Sequence, residues 1–241
     1  MHMMDDALAQ RLIALNRAFY QQAGAGFDRT RQSAWPGWQP LLAHLPARRP
    51  LRVLDVGCGN GRLARFLSRE GVAVHYTGVD FSPALLAAAS AALGALPGVE
   101  WTLVEADFMT GTERLPEDRF DLVALFGVVH HTPGAARRAA LIRALAARVA
   151  PAGVLAFSAW RFDEQPRFRD HMLPTPPDMA LEAGDVLLDW RADDVHAVRY
   201  CHAVSDDEMA SLVVASALTQ IDAYRADGHP GNLNDYRVLR R

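Results

Sequence analysis

The chain contains no lysine; all 25 of its basic residues are arginine. Each cation is therefore a planar fork, suited to carboxylates and phosphates. Cysteine is nearly as scarce. Cys58 and Cys201 stand alone and far apart, which excludes a disulfide framework and a clustered-thiol zinc site, so no metal is expected and a reducing cytoplasm is the expected location. No apolar run reaches the ~18 residues needed to span a bilayer, and the start, Met1-His-Met-Met-Asp-Asp, lacks a signal-peptide pattern. Nor is there an excess of positive charge. A net charge of −3 and a pI near 6.3 exclude a global field that draws the chain to nucleic acid. Low-complexity linkers and internal repeats are also missing. What remains is a 241-residue chain with 50% hydrophobic and 22% charged residues, the composition of one generous α/β domain.

The most informative stretch is Leu51-Arg-Val-Leu-Asp-Val-Gly-Cys-Gly-Asn-Gly61, followed by Gly78-Val79-Asp80. It reads as a buried strand, a glycine turn, a helix, a second strand and then an acid. Gly57, Gly59 and Gly61 let the backbone pass a flat ligand with no Cβ in the way. Asp80 follows at the separation of about 20 residues at which an acid binds both ribose hydroxyls of a nucleoside. Dinucleotide folds use G-x-G-x-x-G, with a helix N-terminus facing pyrophosphate. Here Asp55 leads Gly-x-Gly-x-Gly, and an acid in that place repels pyrophosphate but attracts an ammonium. S-adenosylmethionine carries an ammonium and a ribose and no phosphate, and it is the cofactor this spacing predicts.

Apolar positions at helical spacing predict a helix over 5–22, stopped by Gly24 and Gly26, and a short helix over 38–45. Strands are expected at 52–56, 73–79, 99–105, 120–126 and 154–158, with helices at 61–69, 83–96 and 135–149 between them. That alternation implies a doubly wound, mostly parallel sheet. Residues 160–203 break the rhythm with five prolines or glycines and two strand-like runs, 186–190 and 197–202. Ser205-x-x-Glu208 is a capping box opening a helix to about 215, and 218–224 with 236–239 form a closing pair of strands. The organisation expected is one domain over 1–241: an N-terminal helical cap (1–46), a cofactor core (51–159), a substrate-side insert (160–203) and a final helix with strands (204–241).

Ligands of open parallel sheets sit beyond the carboxyl ends of the strands. Asp80 with Phe81, Asp107 with Phe108, and Phe126 with Gly127 and His130-His131 all fall there. Asp107 is placed to accept from an adenine amine or to cap the turn after its own strand, and Phe81 or Phe108 to cover the ring.

The set resembles the class I S-adenosylmethionine-dependent methyltransferases. The resemblance implies a Rossmann-like seven-stranded sheet in which strand seven runs antiparallel between five and six. A narrower resemblance, to the tRNA wobble-uridine carboxymethyl methyltransferases, rests on Tyr20, Phe27-x-x-Thr-Arg31, Trp35-Pro36, Val129-His-His131, Gly184-Asp-Val-Leu187 with Trp190, and Arg199-Tyr-Cys-His202. It implies tRNA as a partner. Tyr20 and Arg31 would close over the cofactor, with Arg31 near its methionine carboxylate.

Methyl transfer asks the protein to align and desolvate a nucleophile. A carboxylate acceptor needs a cation rather than a base; Arg161 and Arg199 are the candidates, alongside His131, which a phenol or amine acceptor would use as a base. His130, Trp190, Tyr200 and His202 complete the expected acceptor side, with Trp190 and Tyr200 able either to stack on a base or to pack the insert. A small-molecule acid or phenol is the alternative acceptor, and a non-catalytic cofactor-binding module the alternative class.

Overall fold

The computed structural model describes residues 4–29, 33–94, 96–192, 195–229 and 231–241, with the side chains of 24–29 and 192 not described. Helix α1 (Asp6–Arg29) runs past Gly24 and Gly26. A glycine inside a helix costs about 1 kcal/mol, and α1 offsets it by burying Leu12 against Leu187 and Tyr200, and Phe19 against Ala197. The expected helix over 38–45 is instead two 3₁₀ turns, Pro36–Trp38 and Pro40–His44.

The core alternates as expected. Strands β1 (Leu51–Val56), β2 (Val74–Asp80), β3 (Val99–Glu105), β4 (Phe120–Phe126) and β5 (Val149–Trp160) are separated by α2 (Arg62–Arg69), α3 (Pro83–Leu93) and α4 (Ala135–Ala147). Ser82 caps α3 by accepting from the Leu85 N–H at 3.4 Å. After β5 come a one-turn helix α5 (Pro166–Arg169) and a separate antiparallel sheet of β6 (Met172–Leu173), β7 (Asp185–Ala192) and β8 (Val195–His202). Helix α6 (Asp206–Ser216) and strands β9 (Thr219–Ala226) and β10 (Asn234–Arg240) finish the chain.

The main sheet has seven strands in the order β3-β2-β1-β4-β5-β10-β9. β10 is antiparallel to both β5 and β9, as the resemblance implies. Both faces are covered, because side chains alternate along each strand. On β1, Leu51 and Val53 face α2 and Trp38, while Leu54 and Val56 face α4 and α6. Strand order reverses direction between β1 and β4, and such a switch point opens a crevice at the strands' carboxyl ends.

Candidate functional site

A cavity of about 650 Å³ fills that crevice, within the roughly 300–1,000 Å³ usual for small-molecule sites. Its floor is the turn after β1. Gly57 has φ +75° and a Cβ there would lie 2.4 Å from Val128 Cγ2, whereas a Cβ at Gly59 (φ +53°) would meet nothing within 4 Å. Gly57 thus fixes the loop against the turn after β4, and Gly59 presents bare backbone to the open space. The Gly59 N–H donates to Asp80 Oδ2 at 2.9 Å and the Ser82 N–H to Asp80 Oδ1 at 2.9 Å. Burial pushes the Asp80 carboxyl above the usual carboxylate range, against the pull of these backbone donors. Each of its oxygens keeps lone-pair capacity for a further donor. Asp107 accepts from the Met109 N–H at 3.0 Å and pairs with Arg17. Phe81, Phe108, Phe126 and Gly127 line the same space.

Helix α1 closes one side. Ile13, Asn16, Arg17 and Tyr20 lie on one helical face and all line the cavity. Asn16 fastens that face, accepting from the Tyr200 N–H at 2.8 Å and donating to the His131 carbonyl at 3.3 Å. His131 Nδ1 lies 3.0 Å from the Tyr200 carbonyl oxygen, which can only accept, so the neutral ring carries its proton on Nδ1. Nε2 then accepts from the Tyr20 hydroxyl at 3.0 Å. His130 accepts from the Trp160 N–H at 3.3 Å through Nδ1, and its ring lies 4.4 Å from that of His131. Adjacent histidines both reach the cavity because they sit on a 3₁₀ turn, Val129–His131, and not on a pleated strand.

The remaining wall is aromatic and cationic. Trp160, Phe168 and Trp190 line it with Arg199, whose guanidinium carbon is 4.7 Å from the Trp160 ring centre and 5.2 Å from that of Phe19. Arg62, with its guanidinium 5.1 Å from the Trp35 ring, and Arg167 line the cavity as well.

Five expected site residues lie elsewhere. Asp55 is buried beneath the glycine turn, where it accepts from the Tyr76 hydroxyl at 2.7 Å; burial pushes its carboxyl up to about 7. It faces the core side of β1 and does not line the cavity. Gly61, at φ +74°, starts α2 and lets it pack on Ala89 and Leu93 of α3. Arg161 is buried in ion pairs with Asp235 and Asp206 and donates to the Val204 carbonyl at 2.8 Å. Tyr200 donates its hydroxyl to Asp185 at 2.7 Å, and His202 bridges Asp185 and Glu208 at 2.7 Å each. Glu182, Asp185 and His202 could together hold a metal by spacing. In the fold, Arg138 already supplies the cation, pairing with Glu182 at 3.1 Å and Glu208 at 2.6 Å. This network ties the insert to α4 and α6 and is no part of the cavity. Arg31 lies outside the described residues.

Sequence reasoning missed Asn16, Arg17, Arg62, Trp160, Arg167, Phe168 and His171 as lining residues. The helical recurrence of 13, 16, 17 and 20 was a usable signal for the first two. The others had none beyond their type.

Residues 54–155 match a family model described as a methyltransferase domain. The trans-aconitate 2-methyltransferase of Streptomyces avermitilis is 34% identical over 120 residues, covering 48% of this chain and 42% of that protein. The ubiquinone biosynthesis O-methyltransferase of Neisseria meningitidis is 32% identical over 124 residues, covering 51% and 48% respectively. The chain spans less than half the length of these curated relatives. In fold it is similar to a methyltransferase structure from Clostridium acetobutylicum, with TM-score 0.63 and 12% identity over 93% of this chain and 96% of that one. It is also similar to the magnesium protoporphyrin IX methyltransferase of Synechocystis solved with bound S-adenosylmethionine, with TM-score 0.60 and 15% identity over 95% and 96%. The glycine turn and the acids at successive strand ends thus lie within residues 54–155, the part of the chain that matches a methyltransferase domain, on a Rossmann-like methyltransferase fold.

Proposed function

We propose that the chain transfers a methyl group from S-adenosylmethionine to a carboxylate of a small organic acid. The observation that carries this reading is Arg199. It is buried, lies over the Trp160 face, and lines the same cavity as Gly59 and Asp80.

The residues present fit the cofactor. The open space over Gly59 receives a flat group without steric conflict, and Asp80, held by two backbone N–H groups, has capacity left for two ribose hydroxyls. Asp107 would take the adenine amine, and Tyr20 would cover the methionine side. When bound, S-adenosylmethionine supplies an electrophilic methyl on a sulfonium. The chain's own residues have then to hold the acceptor and exclude water. An acid is already ionised at neutral pH, so it calls for no base. Arg199 offers a two-point grip, and Trp160, Phe168 and Trp190 desolvate what lies between them. A phenol would instead lose its proton to Tyr20, with His131 Nε2 as the final acceptor, because the Tyr20 hydroxyl occupies that nitrogen.

A modified wobble uridine of tRNA carries a carboxylate too, and is the second reading. It is favoured by Tyr20, His131, Trp190 and Arg199, which all stand in motifs that resemble that family's and all line the cavity. The relatives named for trans-aconitate and ubiquinone biosynthesis support the small-molecule source. Labelled methyl transfer to a panel of small acids and phenols, run beside bulk tRNA, tests both; label confined to tRNA would overturn the first reading. Arg199→Ala should depress turnover well beyond any change in S-adenosylhomocysteine affinity. The reverse pattern would remove Arg199 from the acceptor site.

A further inference from the structure

The acceptor end carries two guanidiniums and not one. Arg199 lies 4.7 Å from the Trp160 ring centre, the Trp160 and Phe168 rings meet edge-to-face at 4.8 Å, and the Arg167 guanidinium lies 4.7 Å from the Phe168 ring centre. These three steps cap the distance between the two guanidinium carbons at about 14 Å. Arg199 is buried and Arg167 exposed, and both line the one cavity. A side pocket of about 150 Å³, lined also by Leu188, Asp189 and Arg191, shares Phe168, His171, Trp190 and Arg199 with the cavity. A buried cation, an aromatic pair and an exposed cation thus border one cavity, with apolar rings between them in the chain of contacts.

We propose that this arrangement selects an acid with two anionic groups on a flat apolar body. The inner carboxylate is held by Arg199, the body lies on Trp160 and Phe168, and the outer anion is read by Arg167. Stacking on Phe168 orients the Arg167 fork before any ligand arrives, so little ordering remains to be paid on binding. A monoacid uses the inner half alone and leaves the outer cation in water. The specificity follows from that difference, since a charged rim group discriminates mainly by the presence of its partner. The inference rests on the small-acid reading given above and names the class of acid.

The test is calorimetry on the full chain saturated with S-adenosylhomocysteine, using terephthalate and benzoate as matched probes. Saturation itself checks the underlying reading, because a chain that fails to bind S-adenosylhomocysteine sinks the methyltransferase assignment without touching the question of two anions. Terephthalate should bind about fivefold tighter than benzoate, the scale of one well-oriented exposed pair. Arg167→Ala should bring terephthalate down to benzoate's level, and Arg167→Lys should restore part of the gap. Arg199→Ala should weaken both probes. Equal affinity of the two probes, or an unchanged ratio in Arg167→Ala, would overturn the proposal. So would a short single-stranded RNA whose binding falls with Arg167→Ala while terephthalate is indifferent, which would assign Arg167 to a polynucleotide phosphate.

Discussion

Replacing Asp55 by asparagine isolates the electrostatic cost of an acid buried under the cofactor turn. Asp55 is 4% exposed, and burial pushes its carboxyl up to about 7, with the Tyr76 hydroxyl pulling the other way and the Asp80 charge adding to the rise. In the unfolded chain the same group ionises near 4. Below pH 4 it is protonated in both states and contributes no pH dependence. Between pH 4 and 7 the folded chain holds a proton that the unfolded chain has lost, so stability falls as pH rises, and above 7 the full cost is present. Three pH units at 1.36 kcal/mol each make that cost about 4 kcal/mol, and relaxation around the charge will lower it. Asparagine keeps an oxygen to accept from Tyr76 and cannot ionise. Its amide brings donors that the carboxylate lacks, but any penalty from them is the same at every pH. Denaturant unfolding of both proteins from pH 4 to 8 should therefore show the Asp55→Asn chain gaining on the native one by 2 kcal/mol or more, with most of the gain between pH 5 and 7. Titrating groups other than Asp80, whose charge is coupled to that of Asp55, cancel in the difference. A constant difference across that range would refute the reasoning, and would mean that water or a neighbouring cation already solvates the carboxylate.

Four further substitutions separate the roles that the fold assigns to these residues. Gly59→Ala should weaken S-adenosylhomocysteine binding more than tenfold while costing only about 1 kcal/mol of stability, since its Cβ enters open space at a left-handed φ. Gly57→Ala should lose stability first, because its Cβ meets Val128; melting and calorimetry together distinguish the two. Arg161→Ala should destabilise the chain, though by less than the about 3–5 kcal/mol of a fully stranded charge, because buried Asp235 keeps Arg237 as a partner, yet leave cofactor affinity within twofold, as measured by the same calorimetry. For His202, burial lowers the imidazole's proton affinity, but its bonds to Asp185 and Glu208 outweigh this and raise it. The stability this provides is fully present below pH 6.5 and is lost as pH climbs through the raised value, so His202→Gln should cost about 2–3 kcal/mol at pH 6 and progressively less in alkali, followed by denaturant titration.

The sheet was legible where burial dictates composition. β4 is apolar from Phe120 to Phe126 save for Asp121, because it is covered on both faces, and such a run has few other readings. β5 was read short for a reason the register makes plain. Pro151-Ala152-Gly153 reads as a turn, but β5 passes through it as an irregularity, with Phe120 opposite Val149 and Leu122 opposite Val154, and with Ala152 at φ +61°. A bulge of this kind keeps the ladder while admitting residues that would end an ordinary strand. The glycines of α1 misled in the same way: their local cost is smaller than the packing of Leu12, Phe19 and Asn16 against β8.

The acceptor side shows where pattern reading had the means and did not use them. The sequence expectation puts Arg199, Tyr200 and His202 together on the acceptor side. In a strand, however, neighbouring side chains point to opposite faces, so a single surface can take Arg199 or Tyr200 but not both. The run 197–202 is strand-like in sequence, which is enough to divide it. The structure divides it as the pleat requires. Arg199 lines the cavity, whereas Tyr200 and His202, two residues apart, both reach Asp185 on the far side. Motif likeness weighs each position equally; the two-residue period of the strand does not. For Trp160, Phe168 and Trp190 no such rule exists, since an aromatic residue at the edge of a core and one at the wall of a site have the same composition and spacing. Those residues could be assigned only once β5, α5 and β7 were seen to meet around Arg199.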